Sequence, residues 1–548
     1  MACARRIQLR QRRREGPLPA VQEDGLVGAC ARVGGDARSG PGRRRTDEEQ
    51  QQQQRRDVER QPHGPGGPRS FCPCALRTIS NVEARGGRSL LAVRADGGAG
   101  VGSGHLARCL ALTQAWRDTG GEVILLIDDH DSWVDRYATE GVDVRPVDAP
   151  TSSDPDWLVV DGYRFGPDEG RAARARGARI LVIDDQGLGR AGPADSLLDQ
   201  NLGASTDRYR DRVTSDRVLL GPRFALLRRE VSVARPAAED RPVPGRARRV
   251  LLSVGGDPPP PVLGLFEAMA ADLGRDHEVR WLRGAADVSV EMLEADLAVA
   301  ASGSTCWELC CLGVPMAVLA TTGNQRPVAE ALGLAGIALD LGTLEQVEGA
   351  RALEAIRELA GDAGRRQRMI AAGMDLVDAR GAKRVVAHMR GDLLSLRPVA
   401  ASDAGLLWRW ANDAGTRASS FDPTPIPWEV HTTWLERKLA DPACSMYLAA
   451  SDAGLVGQIR FDQAGDRAEV AVAVAPEHRG EGLGPAVIDA GVRAFLRARR
   501  GVTVDALVKP ENTASARSFD LAGFVFCGSG SSDAGRWLRY VRSGHDPL

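Results

Sequence analysis

The feature that most constrains this chain is a series of short apolar runs that alternate with longer helical segments. Several such runs occur between Ser89 and Asp185. The alternation restarts at Arg249, after a segment, residues 231–248, that is rich in proline, alanine and charge and is predicted to be a linker. Short aliphatic runs separated by helices are typical of buried parallel strands in doubly wound α/β domains. The predicted strands are Ser89–Val93, Glu122–Ile127, Trp157–Asp161, Arg179–Asp185, Arg249–Gly256, His277–Leu282, Ala295–Gly303 and Pro315–Ala320.

The predicted domain organisation follows from the restarts in this pattern. At 548 residues the chain is long enough for roughly three or four domains. Residues 88–235 and 236–392 are predicted as two α/β domains, and residues 393–548 as a third domain with a different pattern. Residues 1–87 show no sustained apolar period, and they are predicted to be a disordered tail or sequence upstream of the true translation start.

Composition argues against several classes of partner. The net charge is −2, and lysine occurs only at Lys383, Lys438 and Lys509, so arginine supplies nearly all of the 71 basic residues. Because a GC-rich genome gives the same bias, the arginine clusters do not indicate nucleic acid. No apolar run reaches the roughly 20 residues that span a bilayer, and none of the ten cysteines shows paired C-x-x-C spacing. We therefore predict a cytoplasmic protein with reduced thiols, no metal, and no membrane or nucleic-acid partner.

A histidine lies inside a glycine-rich turn, in the stretch "GVGSGHLARC" from Gly100 to Cys109. A predicted strand precedes the turn and a helix follows it. Free N–H groups at a helix start attract anions and favour the neutral form of an imidazole. His105 is therefore a candidate catalytic base, and the alternative is a histidine that only caps the turn. Cys109 is either its partner in a Cys–His pair or, as the pattern favours, a buried packing cysteine.

A second helix start lies in the stretch "ASGSTCWELCCLGVPMAVLATTGNQ", from Ala301 to Gln325. Hydroxyls and amides open the helix, and a carboxylate follows one turn later. That arrangement suits a diphosphate at the helix start and a ribose on the carboxylate, whereas a plain capped helix explains only the first serine. The glycine pair after the strand that begins at Arg249 adds a second place for close backbone approach. The predicted nucleotide contacts are Gly255, Gly256, Ser304, Thr305, Glu308, Asn324 and Gln325.

Six motifs in one order resemble a known family. They are "VRADGGAGVGSGHLARCLAL", "DGY", "IDDQ…DSLLDQNL", "LLGPRFALLRRE", "LLSVGGD" and "ASGSTCWELCCLGVP…NQ". Together they are similar to the UDP-sugar hydrolases of pseudaminic acid biosynthesis, over about residues 90–341 with a weaker tail to Arg390. These hydrolases act on UDP-2,4-diacetamido-2,4,6-trideoxy-β-L-altropyranose.

The resemblance implies a fold and a set of site residues. The implied fold is α/β, with two Rossmann-like domains arranged as in GT-B glycosyltransferases. His105 is the implied catalytic residue, and Asp96, Gly104 and Tyr163 join the nucleotide contacts as substrate-binding residues. The chain departs from the family at Gly162, where the family usually has a bulkier residue. This departure bears on the sugar specificity.

The expected reaction needs few groups. UDP is a good leaving group, so His105 has only to deprotonate a water that attacks the anomeric carbon. The helix that begins at Ser304 and the Gly255–Gly256 turn are expected to stabilise the departing diphosphate. A glycosyltransferase that passes the sugar to another acceptor is the main alternative.

The last 150 residues carry a different signature. "EVAVAVAPEHRGEGLGPAVIDAGVRAFL" places an R-x-x-G-x-G loop between a strand and an amphipathic helix, and "ENTASARSFDLAGF" follows. This order resembles the GCN5-related N-acetyltransferase (GNAT) superfamily over about residues 394–540, which implies an α+β domain and acetyl-CoA as a co-substrate rather than a permanently bound cofactor. The predicted acetyl-CoA contacts are Val474, Arg479, Gly480, Gly482, Leu483, Gly484 and Asn512.

The catalytic acid and base of this domain are less defined. Phe519 stands where many of these enzymes have a tyrosine that protonates the leaving thiolate. Glu469 and His431 are candidate bases, against the alternatives of a solvated strand residue and a helix-surface residue. The segments "LWRWANDAGTR" and "EVHTTWL" resemble acetyltransferases of sugar amines or protein N-termini.

The fusion favours one combined function. In the pseudaminic acid pathway, acetylation of the 4-amino UDP-sugar directly precedes the hydrolysis described above. The sequence therefore predicts a bifunctional enzyme whose partners are a UDP-activated diamino sugar and acetyl-CoA. A protein N-acetyltransferase fused to a nucleotide-sugar binding module is the alternative from another class.

Overall fold

The computed structural model describes twelve stretches of the chain, which together hold the predicted site residues. The predicted extension, residues 1–87, and the glycine-rich residues 97–102 lie outside them. The described residues belong to one compact unit, Ala84–Leu548. The stretches are 89–96, 103–127, 132–147, 154–163, 165–185, 194–211, 213, 217–256, 258–282, 287–452, 454–532 and 535–543.

The first sheet has seven parallel strands in the order β3-β2-β1-β4-β5-β6-β7. Helices pack on it, and its central strands are buried almost throughout, which explains why they read as continuous apolar runs. The elements are β1 (Leu90–Ala95), α1 (Gly104–Arg117), β2 (Glu122–Leu126), α2 (Ser132–Thr139), β3 (Asp143–Arg145), β4 (Trp157–Asp161), α3 (Pro167–Ala175), β5 (Arg179–Ile183), β6 (Ser196–Asp199) and β7 (Val218–Leu220).

The second sheet has five parallel strands in the order β12-β11-β10-β8-β9. The last helix of this part of the chain is α11, which packs against other parts of the chain. The elements are α4 (Arg229–Val233), β8 (Arg249–Ser253), α5 (Pro260–Leu273), β9 (Glu278–Trp281), α6 (Val288–Glu294), β10 (Leu297–Ala301), α7 (Thr305–Leu312), β11 (Met316–Ala320), α8 (Arg326–Leu334), β12 (Ala338–Thr343), α9 (Gly349–Gly361), α10 (Ala363–Leu376) and α11 (Gly381–Leu393).

The third sheet is mixed, in the order β13-β14-β15-β16-β17-β19-β18, and β16 and β17 form its parallel pair. The elements are β13 (Ser395–Pro398), α12 (Ala404–Asn412), α13 (Ala414–Ser419), α14 (Trp428–Ala440), β14 (Cys444–Ser451), β15 (Gly454–Ala464), β16 (Arg467–Val474), α15 (Leu483–Ala498), β17 (Thr503–Val508), α16 (Thr513–Leu521), β18 (Val525–Ser532) and β19 (Gly535–Ser543).

The structure confirms the predicted mixed α/β architecture with parallel sheets and each of the eight predicted strands. Sequence reading missed β3, β6, β7 and β12, which are short or carry polar residues. The predicted linker, residues 231–248, is held against the second sheet's helices by two arginines. Arg235 donates to the carbonyl of Cys311, and Arg241 donates to the carbonyl of Gly313. The domain boundaries stay a prediction.

Helix α11 joins the three sheet-bearing parts of the chain. It packs against α1 of the first part and, most extensively, against α15 of the third part. Gly391 lies at the crossing with α15, where a Cβ atom would be 3.1 Å from the carbonyl oxygen of Ala486. Only a residue without a side chain therefore allows this close approach.

A buried charge network fixes that crossing. Asp489 on α15 accepts hydrogen bonds from Arg493 at 2.7 Å and from Arg542 at 3.0 Å. Arg493 also pairs with Asp392 on α11 at 2.6 Å. Burial opposes ionisation of Asp489, but these arginines outweigh it and hold the pKa of its carboxyl well below the usual range.

The same network reaches the first sheet. His388 on α11 lies 3.4 Å from Asp489 through Nδ1 and 2.8 Å from the hydroxyl of Ser196 on β6 through Nε2. Arg217, just before β7, pairs with Asp392. Since removing one partner of a buried ion pair leaves an uncompensated charge, this network strongly favours one arrangement of the three parts.

We expect Gly391→Leu to loosen the crossing of α11 and α15. The added side chain meets backbone of α15, and such overpacking costs roughly 1–3 kcal/mol. The melting temperature of the full chain should fall, and proteolysis between α11 and β13 should become faster. Gly264→Leu on α5 is the control, because a Cβ there has no atom within 4 Å. Equal melting temperatures for the two variants would contradict this account of the interface.

Candidate active sites

The first candidate site lies where two parallel sheets present their carboxyl edges to each other. In the first sheet the strand order reverses between β1 and β4, and in the second sheet between β8 and β10. Ligands of open α/β sheets bind outside the carboxyl ends of the strands at such switch points. The predicted site residues follow these strands, so the topology brings them to one place.

A histidine–aspartate pair forms the centre of the site. His105 is the second residue of α1, and Asp161 is the last residue of β4. The His105 Nδ1 atom lies 2.7 Å from Asp161 Oδ1, and both side chains are buried. A carboxylate only accepts hydrogen bonds, so the contact with Asp161 requires the proton on Nδ1. Arg108 Nη2 lies 3.0 Å from the same nitrogen and, as a donor, suits the other tautomer.

Arg108 completes the charge balance around Asp161. Its Nε donates to Asp161 Oδ2 at 2.6 Å, and its Nη1 approaches Asp185, which follows β5, at 3.4 Å. Burial opposes the ionisation of Asp161. The charges of Arg108 and His105, with their hydrogen bonds, outweigh burial and hold the pKa of that carboxyl well below its usual range. Asp161 is therefore a carboxylate at neutral pH.

Cys109 does not form a reactive pair with His105. Its side chain is fully buried, and Sγ donates to Asp161 Oδ2 at 3.4 Å. Burial and the neighbouring carboxylate raise the pKa of the thiol well above its ordinary value. The cysteine is a packing residue with a weak hydrogen bond.

Tyr163 extends the site toward the second sheet. Its ring meets the His105 ring edge to face at 5.0 Å, and its hydroxyl donates to Asp185 at 2.8 Å. Burial and Asp185 raise the pKa of the phenol, so it stays protonated. Its backbone N–H donates to Asp96 Oδ2 at 2.6 Å, and Asp96 is 1% exposed. Asp96 therefore shapes the turn after β4 in this structure.

Gly162 is required by this packing. A Cβ at this position would lie 2.3 Å from the carboxyl carbon of Asp96. The bulkier residue that is usual in the resembling hydrolases therefore cannot be accommodated with Asp96 in this position. The departure noted in the sequence has a local steric cause.

The second sheet contributes a helix start directly opposite His105. Residues 302–304 follow β10 and lead into α7. A Cβ on Gly104 would be 3.4 Å from the Ser304 hydroxyl, and one on Gly256 would be 2.8 Å from the Ser103 hydroxyl. Asn324 closes the contact by donating to the Tyr163 hydroxyl at 3.1 Å. The starts of α1 and α7 thus face each other, and both present backbone N–H groups.

The remaining predicted nucleotide contacts are placed around α7. Thr305 is the first residue of α7, and Gly255 has φ +87° in the turn after β8. Gln325 accepts hydrogen bonds from both the backbone and the hydroxyl of Thr321 at 3.0 Å. Glu308 Oε1 accepts a hydrogen bond from Arg228 at 2.8 Å, so the predicted ribose contact is already engaged in an ion pair.

Sequence reasoning missed three residues of this site: Asp161, Arg108 and Asp185. Asp161 and Asp185 stand at the carboxyl ends of neighbouring strands, which is a usable signal. Arg108 lies one turn after His105 on the same helix face, and it was discounted with the other arginines.

The described residues contain no group of three or more histidine, cysteine, aspartate or glutamate side chains able to hold a metal ion. In the same part of the chain, no helix is long and apolar enough to cross a membrane.

The second candidate site is the glycine loop before α15. Gly480 has φ +85° and Gly482 has φ +73°, and Gly482 is the residue that precedes the helix. Both conformations favour glycine. A Cβ on Gly484 would be 3.0 Å from the Ser518 hydroxyl, so the start of α15 lies close to the second half of α16. The loop presents unhindered backbone N–H groups at a helix start.

The strands beside this loop separate. The parallel pairing of β16 and β17 covers Arg467–Glu469 and Thr503–Asp505, while the strands continue to Val474 and Val508. In the described residues the edge of β16 that faces β17 is thus unpaired near Val474. Such an edge can hydrogen-bond an extended amide chain.

The other predicted acetyl-CoA contacts differ in their burial and in their hydrogen-bond partners. Asn512 caps α16 by accepting from the Ser515 N–H at 3.0 Å. Leu483 is buried, so its backbone rather than its side chain faces the loop. Arg479 pairs with Asp413 at 2.5 Å and donates to the Thr416 hydroxyl at 2.7 Å, so it is directed toward α13.

The candidate acid and base positions also differ from one another. Phe519 is buried and packs edge to face on Phe524 at 5.0 Å. Glu469 is exposed on β16. His431 is buried between Trp428 and Trp434, and burial lowers its pKa. The expectation of a helix-surface histidine is therefore wrong. Trp428 and Trp434 cover the His431 ring, and Trp408 packs in turn on Trp428.

Comparison with protein families identifies the third part of the chain. Residues 394–525 match the family described as acetyltransferase (GNAT) domain. This match confirms the predicted acetyltransferase domain and acetyl-CoA as its co-substrate. The hydrolase activity and the individual contacts stay predictions.

Comparison with curated proteins gives a relative that matches about a third of the chain. The chain is 26% identical over 203 residues to the spore coat polysaccharide biosynthesis protein SpsG of Bacillus subtilis, covering 32% of this chain. It spans 58% of the length of that relative.

Two acetyltransferases are among the solved structures that are similar to this chain. One is spermidine N-acetyltransferase from Vibrio cholerae with CoA and spermine, at 17% identity, covering 28% of this chain and 96% of that one, with a TM-score of 0.26. The other is aminoglycoside acetyltransferase AAC(6′)-Ib with coenzyme A, at 18% identity, 27% and 94% coverage, and a TM-score of 0.25.

We expect Gly482→Val to abolish measurable CoA binding. The substitution strains a residue at φ +73° and adds methyl groups against Thr119, so the loop that holds the diphosphate must shift. Gly465→Val, in the β15–β16 turn at φ +63° with no neighbour within 4 Å, carries the same backbone strain away from the loop and is the control. Calorimetric titration with CoA measures both. Unchanged CoA affinity in Gly482→Val would show that the loop is not the diphosphate site.

Proposed function

We propose that this chain is a bifunctional nucleotide-sugar enzyme. Its first two α/β parts form a GT-B-type hydrolase that releases UDP from a UDP-linked diacetamido-trideoxy sugar, and its GNAT domain acetylates an amino group of the UDP-sugar precursor. One observation carries the hydrolase proposal. His105, oriented by the buried carboxylate of Asp161, faces the start of α7 across the contact between two sheet switch points.

The geometry supplies the parts of a hydrolysis at carbon. With the proton on Nδ1 held by Asp161, His105 Nε2 is free to take a proton from water as its oxygen attacks the anomeric carbon. The bond between that carbon and the diphosphate oxygen breaks, and UDP leaves with the bonding electrons. The facing starts of α1 and α7 supply N–H donors for the negative charge. Neither step requires a metal.

The acetyl transfer follows from the second site. The acceptor amine attacks the thioester carbonyl of acetyl-CoA, the carbon–sulfur bond breaks, and the amine's proton is transferred so that CoA leaves as a thiol. Phe519 has no proton to give, which leaves water or another group to protonate the sulfur. The similarity to a spore coat polysaccharide biosynthesis protein supports a sugar as the acceptor.

We expect His105→Asn to lower the turnover of UDP-sugar hydrolysis by roughly 10²-fold or more, the range of a general base, with UDP affinity changed only a few-fold. In ¹⁸O-labelled water the wild-type enzyme should place the label in the sugar and none in UDP, without any added acceptor. Mass spectrometry of both products measures this.

Three results would contradict the mechanism: label in the phosphate, an unimpaired His105→Asn enzyme, or UDP release that requires a sugar acceptor. The last result would identify a glycosyltransferase. Glu308→Ala is a useful companion, because it should weaken UDP binding first and turnover second if the ribose contact is correct.

We expect Asp161→Asn to lower turnover by roughly 10²–10⁴-fold, since the amide no longer fixes the proton on Nδ1. Because the pKa of Asp161 is depressed in the folded state, its contribution to stability is present above about pH 4 and lost only as pH falls further. The wild-type rate should therefore show no step from Asp161 between pH 5 and 9. Asp156→Asn, at the other end of β4, is the control for turnover, and melting curves of both variants separate folding from catalysis.

A further inference from the structure

A large cavity lies between the acetyltransferase domain and the rest of the chain. Its volume is about 740 Å³, which is within the usual range for small-molecule sites. One side is formed by the last turns of α1, the segment around Arg229 and the first turn of α11. The other side is formed by α16 and the hairpin of β18 and β19. No residue predicted to bind acetyl-CoA or the UDP-sugar lines it.

The acidic residues of the cavity are already neutralised. Asp118 pairs with Arg229 at 2.8 Å, Asp520 pairs with Arg380 at 2.8 Å, and Asp378 accepts two hydrogen bonds from Arg384.

Three basic side chains of the lining remain beyond these pairs, and one of them, Arg235, is held by the backbone carbonyls of Cys311, Val377 and Met374. Lys383 on α11 and Arg517 on α16 both line the cavity, and within the described part of the chain neither has an ion-pair or hydrogen-bond partner. Both side chains are exposed to solvent, and partial burial and the charge of Arg517 lower the pKa of Lys383. An anion bound beside both cations would be stabilised by their charge.

An exposed aromatic ring lies in the same cavity. Phe526 on β18 is 53% exposed and meets Tyr540 on β19 edge to face at 5.6 Å. Flat apolar rings that face an open cavity are stacking platforms for nucleobases. The exposed ring of Phe526 could stack on a base, and the two unpaired cations could bind a phosphate. Together they suit a nucleotide that carries a terminal phosphate.

The glycine loop of the acetyl-CoA site approaches, at two points, residues that are next in sequence to residues lining the cavity. A Cβ on Gly482 would be 3.2 Å from the methyl carbon of Thr119, and Asp118, the neighbour of Thr119, lines the cavity. A Cβ on Gly484 would be 3.0 Å from the hydroxyl of Ser518, the neighbour of Arg517. A ligand whose diphosphate lies on the loop can therefore extend its other end into the cavity.

We propose that this cavity binds the adenosine 3′-phosphate end of acetyl-CoA, with Lys383 and Arg517 on the phosphate and Phe526 against the adenine. Lys383 belongs to α11, outside the acetyltransferase domain. The acetyl donor is thus held by residues from two parts of the chain, and the excised domain binds it more weakly. The proposal rests on acetyl-CoA as the co-substrate and does not depend on the sugar or the hydrolase.

Calorimetric titration of the full chain with CoA, 3′-dephospho-CoA and UDP tests the proposal. The wild type should bind CoA roughly tenfold more tightly than dephospho-CoA, the value of one charge-assisted contact. Lys383→Gln and Arg517→Gln should each remove most of that difference and leave the affinity for dephospho-CoA unchanged. Phe526→Ser should weaken both CoA forms equally, because both contain adenine. Lys383→Arg should retain wild-type affinity.

The matched control is Arg275→Gln, which removes one positive charge from a side chain that is 77% exposed in the second α/β part. It should change none of the affinities. Equal wild-type affinity for CoA and dephospho-CoA would overturn the proposal, as would Lys383→Gln binding both forms like the wild type. If the variants lost UDP affinity instead, the cavity would be a site for the nucleotide sugar. An inactive hydrolase with the expected CoA results would leave this proposal standing.

Discussion

The buried ion network around Asp489 is the interaction on which the arrangement of this molecule depends. It joins α15 to α11, and through Arg217 and His388 it joins α11 to the first sheet. Apolar contacts tolerate sliding, but each charged group of a buried network must keep its partners. The network therefore specifies one docked position, in which the glycine loop of α15 lies against the end of α1.

Much of the fold was predictable because buried parallel strands leave a local signal. Runs such as Trp157–Asp161 are apolar on both faces, and the structure returns this strand with the same bounds. The partner of His105 was not predictable in that way. Asp161 lies 56 residues further along the chain, and only the parallel pairing of Ala95 with Asp161 brings it to the helix start after β1.

Composition is a poor guide to what individual arginines do in this chain. The abundance of arginine has a genomic explanation, and on that ground no arginine cluster is predicted to bind nucleic acid. Yet Arg108 balances the buried carboxylate of Asp161, Arg241 of the connecting segment binds the helix-end carbonyl of Gly313, and Arg493 links two carboxylates across the α11–α15 crossing. A long, permanently charged side chain with several donors satisfies distant acceptors, and such pairings depend on tertiary position rather than sequence spacing.

Helix α1 relates the two candidate sites to each other. Its first residues face the start of α7, and Thr119, just past its last turn, touches the glycine loop. A helix of 14 residues is about 21 Å long at 1.5 Å per residue, so one sugar cannot occupy both sites at once. Under the proposed function, the acetylated sugar would therefore leave the acetyltransferase site before hydrolysis. The carboxyl end of α1 is also the negative end of its dipole, which disfavours phosphate nearby. Arg390 offsets this by donating to the Thr119 carbonyl at 2.9 Å, so the first part of the chain can border an anion site.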